Sequence, residues 1–123
     1  MSATNFSAVV PSYLVDQVDR RASAFGRTRN AEWRHLLTLG LEFADDGVPG
    51  PEMPPKATEV PWRQVTIRIP EDTMFEVRGM SDESGRRVGP EVLYLILMAM
   101  EETARRDMEI IKQMIEKQGS TTH

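Results

Sequence analysis

Sliding the chain against itself by 59 positions brings two stretches into register without a gap, from residue 5 to residue 44. Pro11 falls on Pro70, Gly26 on Gly85, Arg27 on Arg86 and Glu32 on Glu91. Apolar positions keep the same offset: Phe6 with Val65, Ala8 with Ile67, Val10 with Ile69, Val18 with Val77, Leu36 with Leu95 and Leu41 with Met100. A repeat this short cannot bury an apolar face alone and must pack on its copy. The 123 residues therefore read as two very small interlocked units rather than one ordinary domain.

Each unit has the same internal order. An alternating stretch comes first, "NFSAVVP" (5–11) and "RQVTIRIP" (63–70). The second copy sets Val65, Ile67 and Ile69 on one face and Gln64, Thr66 and Arg68 on the other, the period of a half-buried strand. Pro11 and Pro70 end the strands and suit a first helical turn, where no N–H is needed. A first helix is predicted over 12–24 and 71–83, with Glu71 and Asp72 favouring its positive end. Gly26 and Gly85 stand where a left-handed C-cap would close it. A second helix follows at once, capped in the first unit by Asn30 ahead of Trp33, Leu36, Leu37 and Leu41. In the second unit Gly89-Pro90 opens a broad apolar run, Val92 to Met100. The expected division is a first unit at 1–46, a Pro-rich extended linker at 47–62, a second unit at 63–103, and a helical extension with a frayed tail at 104–123.

A lone strand leaves a row of backbone groups unpaired. Two units solve this by pairing their strands antiparallel and sharing one four-helix core. The expected fold is thus mainly α with one two-stranded antiparallel β-ribbon. Two strand–helix–helix units form an intertwined pseudo-dimer, with a C-terminal helical extension. Exchange of halves between two chains is the alternative.

Two segments carry a family resemblance. "RQVTIRIPEDTMFEVRGMSDESGRRVGPEVLYLIL" resembles the ribbon-helix-helix family of Arc/MetJ-type repressors, and "GRTRNAEWRHLL" is similar to the opening of the family's second helix. Two linked copies resemble its tandem, TraY-like members. The resemblance spans roughly 5–46 and 63–103. It implies a regulator, of phage or plasmid type, that represses transcription by laying the ribbon in the major groove of double-stranded DNA. Gln64, Thr66 and Arg68 match the base-reading positions. Their chemistry suits that work: Gln can address adenine, Arg guanine, and Thr a polar edge or a thymine methyl. The first strand presents Asn5, Ser7 and Val9 at the matching positions, so Val9 stands where the second copy has Arg68 and the ribbon is expected to be asymmetric.

The starts of the second helices form the other expected contact. Exposed N–H groups and the helix dipole hold phosphate there, setting register without reading sequence. Arg27, Thr28, Arg29 and Asn30 would form one clamp, and Arg86 and Arg87 with the backbone of Val88 and Gly89 the other. The net charge of −4 is unusual for such a role and implies modest affinity with steep salt dependence. In the extension, Met108, Ile111 and Ile115 at near-heptad spacing are candidates for self-association of pseudo-dimers or for docking a protein partner, and a helix packed back on its own core is an equal alternative. A protein-interaction module, antitoxin-like or an inhibitor acting through the helices and extension, is the alternative function.

Other classes find little support. Cys is absent, which removes disulfides and thiolate metal sites and fits a cytoplasmic, nucleoid-associated protein. No apolar run reaches the ~18–20 residues of a membrane span, and no leader pattern opens the chain. His35 and His123 belong to no catalytic or metal constellation, and Glu101-Glu102 are sequence neighbours pointing apart on a helix. Neither catalysis nor a cofactor is expected.

Overall fold

A computed structural model of the chain describes residues 2–55 and 59–120. It is mainly helical, with one two-stranded antiparallel sheet. The order is β1 (Ala3–Pro11), α1 (Ser12–Ala24), α2 (Arg29–Asp45), β2 (Trp62–Pro70), α3 (Glu71–Ser84) and α4 (Val88–Ser120). Described residues between α2 and β2 form no helix or strand, as the prolines there dictate.

The strands pair in a register that sets Asn5 opposite Arg68, Ser7 opposite Thr66 and Val9 opposite Gln64. Ser7 and Thr66 are also equivalents in the 59-residue repeat, and their hydroxyls lie 3.2 Å apart. Any pair in the ribbon therefore maps onto another pair when the two strands are exchanged about this point. Alternation does the rest. Ala8, Val10, Ile67 and Ile69 are buried on one face, while Asn5, Ser7, Val9, Gln64, Thr66 and Arg68 are exposed on the other.

The helices start and stop for reasons visible in the chain. Pro11 and Pro70 precede α1 and α3 with nearly identical backbone angles, and neither helix has a side-chain cap. Instead the Ser12 N–H donates to the Pro61 carbonyl at 2.9 Å, and the Glu71 N–H donates to the Ser2 carbonyl at 3.2 Å. Each helix is thus capped by the residue that leads into the opposite strand. Gly26, at φ 67°, closes α1. There the Arg27 N–H reaches the Ala22 carbonyl at 2.8 Å and the Gly26 N–H the Ser23 carbonyl at 3.3 Å, the paired bonds of a Schellman motif. Gly85, at φ 79°, is itself the C-cap of α3.

The core lies under the ribbon. Leu14, Val15 and Val18 from α1, Trp33, Leu36 and Leu37 from α2, Met74 and Val77 from α3, and Val92 to Ala99 from α4 meet the inner strand residues there. Burying each large apolar side chain stabilises the fold by about 1.5–3 kcal/mol. The helices α2 and α4 cross at Gly40, where an added Cβ would stand 2.1 Å from the Leu95 carbonyl oxygen. Backbone cannot retreat as a flexible side chain would. Gly40→Ala should therefore lower stability by roughly 1–3 kcal/mol or more, as urea unfolding would measure.

The C-terminal segment does not fold back. It continues α4 as a single helix to Ser120, and its side chains from Ala104 to Gly119 are exposed. No described helix is long and apolar enough to cross a membrane.

Candidate nucleic-acid interface

Six exposed side chains cover the outer face of the ribbon as three cross-strand pairs: Asn5 with Arg68, Ser7 with Thr66, Val9 with Gln64. Nine residues per strand at ~3.3 Å each give a ribbon of about 30 Å, and its two strands lie ~4.8 Å apart. The expected readers on both strands are thus brought to one surface. At its centre two hydroxyls face each other, and at its two ends the pairs differ. Arg68 sits beside Asn5, whereas Gln64 sits beside Val9, which is 55% exposed with no polar group to offer.

The expected phosphate clamps are built differently from the sequence reading. Glu32 is fully buried, and Arg27 donates to it at 2.8 Å with Arg21 at 3.4 Å. Its repeat equivalent Glu91 is fully buried too. It accepts from the Ser84 hydroxyl, and Arg86 approaches to 3.5 Å. Arg86 also stacks on the Tyr94 ring at 3.7 Å, and Arg27 on Phe25 at 5.1 Å. A buried carboxylate is costly unless paired, so both arginines are held by the folded chain. Arg29 is engaged as well, by a two-pronged contact to Asp19 of 2.5 and 2.7 Å.

Asn30 is the other correction. The N-cap of α2 is Thr28, whose hydroxyl accepts from the Ala31 N–H at 3.1 Å. The helix begins one residue ahead of Asn30, whose side chain points to the ribbon and accepts from the Arg68 N–H at 2.8 Å. This bond ties the start of α2 to the outer edge of β2. Its counterpart at α4 is missing, because the repeat equivalent of Asn30 is Gly89.

Arg87 remains exposed, with no side-chain hydrogen bond or ion pair among the described residues, and Val88 and Gly89 open α4 with N–H groups that precede the helical ladder. The helix α4 packs on β1 and α2 on β2, so both helix starts belong to the elements that flank the ribbon. Arg63, exposed at the ribbon end opposite Val10, adds a cation that strand alternation alone assigns to the inner face. The self-association candidates Met108, Ile111 and Ile115 lie far along α4, 65%, 49% and 63% exposed, and take no part in this surface.

The repeated Arg–Glu pairs escaped the sequence reading, although their signal was present. Each arginine precedes its glutamate by five residues in both copies. Among the described residues no group of three His, Asp or Glu side chains could hold a metal ion. Compared with protein-family models, curated proteins and solved structures, the chain has no significant match in any of the three.

The Arg29 guanidinium, chiefly through its hydrogen bonds, holds the Asp19 carboxyl below the usual aspartate range. A depressed carboxyl contributes stability at neutral pH, and this is lost as pH falls through the folded-state value. In a titration followed by carboxyl-carbon NMR, Asp19 should therefore titrate below a model aspartate. Arg29→Ala should return it toward the ordinary value.

Proposed function

We propose that the protein is a sequence-specific regulator that binds double-stranded DNA by laying its β-ribbon in the major groove, most simply as a repressor. In this reading the chain is a tandem ribbon-helix-helix protein, and its two units form one intertwined pseudo-dimer. The observation that carries the proposal is the ribbon's outer face. Six exposed side chains stand as three cross-strand pairs about Ser7 and Thr66, above an inner face sealed into the core. A two-stranded ribbon fits a groove ~12 Å wide, where every base pair presents its own donors and acceptors. Cross-capping of α1 and α3, and the matching Arg–Glu pairs, support the two-unit reading.

Recognition is unequal along the ribbon. Arg68 has its backbone fixed by Asn30, so its side chain leaves from a held position and can address guanine through two bonds. Gln64 addresses adenine beside Val9, which offers a methyl surface to thymine. Thr66 and Ser7 occupy the centre. Phosphate contact falls to the α2 and α4 starts with Arg87 and Arg63, since Arg27, Arg29 and Arg86 are engaged within the fold. Fewer phosphates are then neutralised, and the salt dependence is shallower than the arginine count suggests.

A binding-site selection on random duplexes followed by titration tests this. Arg68→Ala should weaken the selected site by about 1–3 kcal/mol and relax preference at one position. Log affinity against log salt should fall with a slope near −2 to −4, on the order of two to four phosphates. Failure to bind any selected duplex at low salt would overturn the proposal.

A further inference from the structure

From Ala104 onward, α4 carries an apolar ridge that no other described residue covers, continuing a line begun by Leu97 and Met100 at the edge of the core. Leu97, Met100, Ala104, Met108, Ile111 and Ile115 follow one another in steps of three or four residues, which keeps them on one side of the helix. Met108, Ile110, Ile111, Met114 and Ile115 are each about half exposed or more. At 100° per residue they span an arc of roughly 160°, much broader than the seam of a two-stranded coiled coil. The ridge also runs into a groove of about 530 Å³ between α1 and α4, floored by Leu97, Met100 and Ala104 and walled by Tyr13 and Gln17. The root of the extension is braced by Arg105 and Arg106 on Glu102, and by Arg106 stacked 4.5 Å over Phe43.

We infer that this face is covered by a second copy of the chain, each copy laying the distal part of α4 antiparallel into the α1–α4 groove of the other. The protruding segment of 17 residues is about 25 Å long, enough to pass its counterpart and reach the groove. Antiparallel pairing brings like flanks of the two helices together. With Ile115 over Leu97 of the partner subunit, Lys112 comes beside the partner subunit's Glu101, and the contact is made twice. Both groups are exposed and without a partner among the described residues. The broad arc is accounted for, because a helix received between two others buries a wider face than a helix seated on one. A parallel pair would leave the groove open. A lipid surface suits the helix poorly, since Glu109 and Glu116 share its polar side with the basic residues.

Sedimentation equilibrium on the full chain tests the inference. The expected result is a reversible species of twice the 14.0 kDa chain mass. Ile111→Asp and Ile115→Asp should each raise the dissociation constant at least about tenfold. Tryptophan fluorescence should show the body still folded, because both positions lie outside the core. Glu101→Lys and Lys112→Glu should each weaken association a few-fold, and the two together should restore it. A chain that stays monomeric at every attainable concentration would overturn the inference, as would a dimer indifferent to both aspartates. So would an Ile111→Cys variant that links to itself on oxidation, because in this antiparallel register Ile111 lies about ten residues from its own copy, roughly 15 Å, and only a parallel pair brings the two together; the native chain has no cysteine to confuse that result.

Discussion

The pairing of β1 with β2 is the constraint on which the rest of this molecule depends. Among the described residues neither strand has another neighbour, so without the pairing both would expose their backbone groups on two edges. The pairing also decides which side chains face the core. A slip of one residue would turn Ile67 and Ile69 outward and bring Thr66 and Arg68 in. Register is held from both ends at once, by the apolar residues below and by the helix caps that each strand's lead-in residue supplies to the other half.

A second layer of constraint is electrostatic. Glu32 and Glu91 are buried at matching places near the starts of α2 and α4, and each draws an arginine from the preceding turn. These pairs position the turn between helices and hold in place two cations that stay about one-third exposed, each turned toward a buried carboxylate. The two copies are not equal. Glu32 receives two arginines, whereas Glu91 leaves one oxygen without a hydrogen-bond partner among the described residues. The same inequality appears at the ribbon, where Asn30 holds one strand and Gly89 cannot hold the other.

Most of the fold was legible because its signals are local and occur twice. Strand alternation, Pro11 and Pro70 at the helix starts, and Gly26 and Gly85 at their ends each act within a few residues. The outer face of the ribbon followed from period two alone. At the helix starts the partners of the side chains were not legible. Arg29 meets Asp19, and Asn30 meets Arg68 across 38 positions of chain, contacts that only tertiary folding creates. Thr28 and Asn30 are both good caps by residue type, and α2 takes the earlier one. The close crossing at Gly40 left no local trace, since its repeat equivalent, Ala99, carries a methyl group.

The reciprocal capping of α1 and α3 has a consequence for how the molecule comes apart. The first N–H of each helix is satisfied only when the other half's strand is in place, so neither half has a complete helix start by itself. Loss of structure in one half therefore removes support from the other, which favours all-or-none unfolding with no surviving half. The residues joining α2 to β2 keep this mutual dependence within one molecule, so the two halves meet without the association of separate chains. A single cut in that connection would leave every secondary-structure element whole, yet would turn a first-order equilibrium into a second-order one.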